Sequence, residues 1–225
     1  MTLFERLSRG EFEFSLSPAQ LIYYSLERWF GHTFLLKPPP SLAGPTLLNL
    51  GCGPHIYQGW VNADDYGFKR RLRERRFRPN WMLDITRTWR CAGDYWDGIF
   101  TEHVLEHLSY SEVTHVLQEC LRTLKPKAWI RISLPDLGIY ASYYEKVAVP
   151  EGFGTFPQRA LALSFLTQMH LHRSVWDKEL LAALLREIGF ADVAIVTFGQ
   201  GTDASLIRDD PDKFPESLYV EARKP

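Results

Sequence analysis

Two glycines and a series of carboxylates are the residues whose types and spacing could do chemistry. Gly51-Cys52-Gly53-Pro54 follows a short apolar run over residues 46–50. A glycine at the end of such a run lets backbone approach a ligand where a Cβ would collide. The dinucleotide fingerprint fails, because Ile56 occupies its third glycine position and the next acid comes too early, so nicotinamide binding is disfavoured. Asp64, Asp84 and the pair Glu102-His103 then stand at the ends of three further apolar runs. A carboxylate at the second tip can accept both hydroxyls of a ribose, and Asp84 could accept from an adenine amino group. Charge-assisted hydrogen bonds of this kind are worth about 1.5–3 kcal/mol each. Any one of these acids reads equally well as a helix cap or solvated turn; the series of them outweighs that reading.

The histidines are the other candidates. His103 and His107 lie four residues apart, and His170 and His172 fall in QMHLHRSVWD. His172 and His103 are candidate general bases, weighed against the plainer role of hydrogen-bonded structural histidine. His103-Val104-Leu105-Glu106-His107 also spells H-x-x-E-H, which on a helix sets both imidazoles on one face. As a zinc-hydrolase motif it lacks context, since it follows directly on a Gly-Ile-Phe-Thr strand, and the sequence assigns no metal. Residues 69–78, KRRLRERRFR, hold seven cations and one acid. A solvated helix face is the leading reading of that run, with a phosphorylated acceptor or a nucleic acid as alternatives.

These residues need a scaffold that brings strand ends together. Short strands are expected at residues 46–50, 60–63, 81–83, 98–101, 129–134, 193–198 and 217–222. Helices alternate with them. Val113, Val116, Leu117, Cys120, Leu121 and Leu124 make an amphipathic stripe over 111–124 that stops before Pro126, and a second pattern over 177–188 closes at Gly189. Such alternation predicts a parallel sheet covered on both faces. Ahead of it, Ser17-Pro18 opens an N-terminal helix, and the prolines of residues 37–45 make a linker. Two divisions are therefore expected: 1–45, helix and linker, and 46–225, the main domain. Within the latter, 138–176 is long for a crossover and rich in aromatics, including Tyr140, Tyr143, Phe153, Phe156 and Phe165; it is expected to build an acceptor lid, or else simply the core of an inserted helical pair.

Bulk properties narrow the class. A chain of 225 residues suits one generous domain, and a net charge of -1 predicts no bulk attraction to polyanions. Cys52, Cys91 and Cys120 are odd in number and lack CxxC spacing, so neither a disulfide frame nor a zinc ribbon follows. With no signal-like start and no apolar run near the roughly 18 residues that span a bilayer, a soluble cytoplasmic protein is expected.

LLNLGCG, GWVNAD, MLDIT, YWDGIFTEHVLEHL and LRTLKPKAWIRISLPDL, taken in order, resemble the serial motifs of the class I S-adenosylmethionine (SAM)-dependent methyltransferases over about residues 47–137. HVLEHL and PDL are similar to a subgroup sometimes found with glycan-biosynthesis functions. The resemblance implies a Rossmann-like α/β fold: a seven-stranded, mostly parallel sheet with helices on both faces and an antiparallel last strand. It implies SAM as cofactor, with Gly51, Cys52 and Gly53 at the methionine part, Asp64 at the ribose, Asp84 and the following Ile85 at the adenine, and Glu102 or His103 in the pocket wall. It implies methyl transfer to a small-molecule or glycan-linked acceptor, with a noncatalytic SAM-binding partner protein and a nucleic-acid methyltransferase using residues 69–78 as alternatives. Some ubiquinone-pathway O-methyltransferases that the chain resembles carry Glu-x-x-Glu-His and use a divalent cation, an alternative role for His103, Glu106 and His107. Two departures stand out. Asn49 lies near the place where the family usually has an acid, and only about seven residues separate Gly53 from the second strand, so the first helix must be stunted. Asn49 can hydrogen-bond the methionine amino group or order the loop.

Overall fold

The computed structural model describes residues 17–20, 22–23, 25–26, 38–65 and 79–225. The basic run at 69–78 lies outside the described residues. The described residues of the expected N-terminal helix are helical. Gln20 N donates to Ser17 Oγ and Ser17 N donates to Gln20 Oε1, so the serine caps it as its position predicts.

Seven strands make one sheet: β1 (Leu47–Leu50), β2 (Val61–Asp64), β3 (Trp81–Met82), β4 (Trp96–Glu102), β5 (Leu124–Pro135), β6 (Ala191–Val196) and β7 (Ser217–Arg223). Their order is β3-β2-β1-β4-β5-β7-β6. Neighbours pair in parallel except where β7 meets β5 and β6, so among the described strands β7 runs against the rest, as expected. The chain leaves β1 toward one edge through β2 and β3, then returns to place β4 on the other side of β1. That reversal opens a crevice beyond the carboxyl ends of β1 and β4, where open α/β sheets bind ligands.

Four helices are described in full: α1 (Tyr110–Thr123), α2 (Leu137–Glu145), α3 (Arg159–Gln168) and α4 (Lys178–Ile188). α1 begins at a reciprocal capping box between Ser109 and Glu112 and buries Val113, Val116, Leu117 and Cys120. α4 is capped by Asp177 and ends at Gly189, whose φ of 112° suits a residue without Cβ. Their apolar stripes cover β1, β4, β5 and β7 in one continuous core that includes Trp81, Trp96 and Trp176. Trp60, Phe100 and Leu206 form a smaller cluster. A third, of Tyr140, Ala162 and Leu166 with Phe153, Phe156 and Phe165 packed on it, joins α2 to α3. Tyr140 is buried between α2 and α3, and Tyr143, Phe153, Phe156 and Phe165 are half-buried against it. No helix among the described residues is long and apolar enough to cross a membrane.

Two local expectations are revised. The H-x-x-E-H segment is not an α-helix: His103 has φ 51°, and only Leu105–His107 turns, as a single 3₁₀ turn, before Ser109 caps α1. β5 begins immediately after α1, at Leu124, and its pairing with β4 shifts register between Trp96 and Gly98.

Inside β5 sits a residue that an apolar strand would not contain unaided. Arg131 has no exposed surface. Its guanidinium forks onto Asp209, Nε to Oδ1 at 2.7 Å and Nη2 to Oδ2 at 2.6 Å, and Nη1 donates to Glu221 Oε1 at 2.8 Å and to Gln200 O at 2.9 Å. The pair ties the long connection between β6 and β7 to the middle of the sheet. Arg131→Ala leaves two buried carboxylates without their cation and is expected to lower the unfolding free energy by about 3–5 kcal/mol. Urea denaturation measures this, and Arg131→Lys, which cannot form the planar fork, should recover only part of it.

Candidate active site

The site is built from the end of β1 outward. Gly51 takes φ 70° and Gly53 φ 50°, turns that side chains with a Cβ rarely follow. Gly51 N and Cys52 N both donate to Ala63 O, at 2.9 and 3.0 Å, binding the turn to β2. Gly53 N donates to Asp64 Oδ2 at 2.8 Å. A Cβ on Gly51 would lie 2.3 and 2.7 Å from the two methyl carbons of Val104, closer than real contacts allow. Glycine is thus required twice at this position, by conformation and by space.

Two cavities meet at this turn. One, of about 330 Å³, is walled by Asp64, Leu83, Asp84, Ile85 and Val104. The other, of about 550 Å³, is walled by Asn49, Cys52, Glu102, Glu106, His172 and Lys213, among others. Gly51, Gly53, His103 and His107 face both. The structure therefore brings together, around one divided crevice, all the residues that the sequence singles out for cofactor or base roles.

Their engagements differ. Asp84 Oδ1 accepts from Thr86 N (2.9 Å) and Thr86 Oγ1 (2.5 Å), while Oδ2 lies 3.4 Å from Arg87 Nε. Ile85 packs against the main core, and its carbonyl accepts from Trp89 Nε1 at 3.1 Å. Asn49 is buried, and Nδ2 donates to His55 O at 2.7 Å and to Asn62 Oδ1 at 3.1 Å. Asn62 also accepts from Tyr57 N and donates to Tyr57 O and Trp60 O. This amide network fills the place of the stunted first helix, since residues 51–60 hold only turns and bends. Burial pushes the Cys52 thiol up, which makes it a poor nucleophile.

Glu102, at the tip of β4, accepts from Asp210 N at 3.1 Å. Burial, with Asp210 and Asp209 adding like charge, pushes its carboxyl up to about 7. His103 Nε2 lies 2.8 Å from Ser217 Oγ, and burial pushes the imidazole down to about 3. Burial likewise pushes His107 down to about 4 and lowers His172. It pushes Glu106 up to about 8. His103, His107 and His172 are therefore neutral near pH 7. His172 Nδ1 lies 2.6 Å from Leu166 O and must donate to it, which leaves the Nε2 lone pair bare.

Asp210, Lys213 and Glu216 also line the larger cavity, and sequence reasoning passed over all three. They come from the connection before β7. The available signal was Arg131, since a cation in the middle of an apolar strand demands buried carboxylates from elsewhere in the chain.

The family model described as a methyltransferase domain matches residues 25–195. No functionally curated protein matches the chain. Among solved structures, a SAM-dependent methyltransferase from Archaeoglobus fulgidus is 18% identical with a TM-score of 0.51, over 98% of this chain and 100% of that one. One from Mesorhizobium loti is 18% identical with a TM-score of 0.52, over 89% and 99%. A third, from Thermotoga maritima and described as a possible histamine N-methyltransferase, is 13% identical with a TM-score of 0.51, over 90% and 89%. At these identities the likeness is one of fold.

Glu102 gives a pH dependence with a definite sign. A carboxyl raised from 4.5 to about 7 in the folded protein contributes stability that is fully present below 4.5 and is lost as pH rises through 7. Glu102→Gln removes that titration, so the variant should gain stability relative to wild type between pH 4.5 and 7. Urea midpoints measured across that range check it; parallel profiles would contradict the assignment.

Proposed function

The chain belongs to the methyltransferase-domain family and is a SAM-dependent methyltransferase, and from that premise we propose that it methylates a small-molecule or glycan-linked acceptor, holding donor and acceptor in the two halves of one crevice. The observation that carries this reading is the meeting of both cavities at Gly51 and Gly53, with Asp64 and Asp84 on one side and the histidines on the other. Methyl transfer from a sulfonium is an in-line displacement: the acceptor atom bonds to the methyl carbon as the carbon–sulfur bond breaks and sulfur keeps the electron pair. The protein's main contribution is then proximity and orientation.

In this reading the adenosyl part would occupy the smaller cavity, where Asp64 would accept from the ribose hydroxyls and Asp84 from the adenine amino group. Ile85 packs against the base. The methionine part crosses the close-approach backbone of Gly51, Cys52 and Gly53, with Asn49 and Glu102 in the wall beyond. Asn49 spends its amide hydrogens on the loop, so its part is to order the turn. The acceptor enters the larger cavity, and residues 138–176 form its far side through Phe165, His170 and His172. Of the two candidate bases, His172 keeps its Nε2 lone pair for the cavity, whereas the lone pair of His103, on Nδ1, faces Glu106. The larger cavity, of about 550 Å³ and shared with the methionine part, supports a compact acceptor. Three free, buried thiols support a reducing, cytoplasmic setting.

Incubation with methyl-labelled SAM and separated pools of metabolites, glycans and RNA tests the acceptor class. Label in the metabolite or glycan pool is the expected result, and label confined to RNA would overturn it. Asp64→Ala is expected to weaken SAM binding roughly ten- to hundredfold by calorimetry, the worth of one or two charge-assisted hydrogen bonds. An unchanged affinity would remove Asp64 from the ribose.

A further inference from the structure

The larger cavity contains a carboxylate whose setting the cofactor does not explain. Glu106 is 2% exposed, and neither of its carboxylate oxygens has a hydrogen-bond partner. An orphaned carboxylate in such a place is costly and requires an account. Its surroundings deepen the puzzle. Ser217 Oγ has one hydrogen and donates it to Lys213 O at 2.7 Å, so it must accept from His103 Nε2. The His103 proton is therefore on Nε2, and the lone pair of Nδ1 faces Glu106 Oε1 at 3.4 Å. His172, with its proton spent on Leu166 O, has its lone pair on Nε2. His107 Nε2 lies 3.8 Å from the same Glu106 oxygen, and its ring stacks edge-on to His172 with centroids 5.1 Å apart. The lone pairs of His103 Nδ1 and His172 Nε2 thus stand beside the Glu106 carboxyl, and the hydrogen that burial holds on that carboxyl is shared with neither in a formed hydrogen bond.

We propose that Glu106, His107 and His172 bind one divalent first-row metal cation, zinc-like in preference, on the acceptor side of the crevice. One ligand atom from each of the three lies within 4.8 Å of the others, the spacing at which a single ion can touch all three. The inference rests on the methyltransferase reading only for what the ion would do, not for its binding. The set differs from the sequence motif: His103 is tied to Ser217 and stands behind Glu106 as a positioning residue, while His172 arrives from beyond α3. The cluster is held before any ion binds. Arg173 N and Ser174 N both donate to Glu106 O, at 2.7 and 3.1 Å, which clamps the His172 segment against the 3₁₀ turn that bears the other two ligands. The Leu166 O–His172 bond is the outer contact that metal-binding histidines require to fix their tautomer.

Two imidazoles and one carboxylate suit zinc, cobalt or iron(II) better than magnesium, and three protein ligands leave positions open. A hydroxyl of the acceptor fits an open position. With His172 spent as a ligand in place of its role as base, a hydroxyl coordinated there would release its proton to water at a lower pH than when free, and its oxygen would then bond to the methyl carbon as the carbon–sulfur pair passes to sulfur. This points to an acceptor that is methylated on oxygen.

The test uses the full chain, freed of metal by a chelator and dialysed against zinc, cobalt, manganese or magnesium chloride. Wild type is expected to retain one zinc per chain, to bind cobalt with a visible absorption band of a nitrogen- and oxygen-ligated ion, and to hold magnesium weakest. Glu106→Gln and His172→Asn should each weaken zinc binding by at least tenfold, an order of magnitude typical of losses at such sites. His172→Asn, on a partly exposed segment, guards against a Glu106 variant that fails to fold. SAM calorimetry on the same metal-free samples separates the two readings: SAM binding retained with no stoichiometric zinc would overturn the cation and leave the cofactor site standing. Zinc binding by His172→Asn equal to that of wild type would overturn the ligand set.

Discussion

The crevice exists because the backbone of Gly51 lies against the side chain of Val104. β1 and β4 are neighbours in the sheet, so the residues just past their ends compete for the same space. Val104 wins that space with two methyl groups, and β1 can turn there only as a glycine in the left-handed region. The turn is then fixed from the other side, with Ala63 O accepting two backbone hydrogens and Asp64 accepting a third. Three strand ends are locked to one another by these contacts. A displacement of any one of them would move both cavities, because Gly51 and Gly53 are shared walls.

The same geometry explains how the chain manages with so short a link between β1 and β2. A regular helix would satisfy its own backbone groups; residues 51–60 do so only in part, through His55 N to Cys52 O and Trp60 N to Tyr57 O, and side-chain amides take several of the rest. Asn49 and Asn62 project from adjacent strands, in register with one another, and between them they satisfy carbonyls of residues 55, 57 and 60 and the amide of Tyr57. Asn80 adds a bond to Trp60 O and receives one from Asn62 N. Neutral amides suit this task. They offer donor and acceptor together, and they bury no charge. Further along the same row of the sheet the opposite solution appears, where Arg131 with Asp209 and Glu221 buries three charges to hold a connection of 20 residues between Val196 and Ser217.

Much of this was legible because it is local in sequence. The glycine turn, the acids at the tips of β2, β3 and β4, the capped helices and the strand-helix alternation each announce themselves within a few residues, and the periodicity of α1 and α4 names the face they bury. What stayed hidden is what needs two distant segments at once. Nothing near Asp210 or Lys213 marks them as cavity walls; they are brought there by a buried ion pair with a strand some eighty residues earlier. H-x-x-E-H reads as a helix by spacing, yet Ser109 is the stronger start signal and leaves the motif only one tight turn. The aromatics of 138–176 read from sequence as lid or as core, and one of them serves in two ways: Phe165 packs on the Tyr140 cluster and also lines the larger cavity.

The two halves of the crevice are therefore made by different means, and this accounts for how differently they can be read. Around the smaller cavity the wall is made of glycine backbone and carboxylates at consecutive strand ends, so a fixed order of short motifs is enough to specify it. Around the larger cavity the wall is composed of side chains from the turn after β4, the segment after α3 and the connection before β7. Each arrives on its own tether: the His172 segment on Glu106 O, the Asp210 segment on Glu102 and Arg131. Tethers of this kind hold a chain in place without dictating which side chains it presents. A wall so assembled can change its chemistry by substitution on one segment while the sheet, the glycine turn and the carboxylates stay as they are, which is how one fold comes to serve many acceptors.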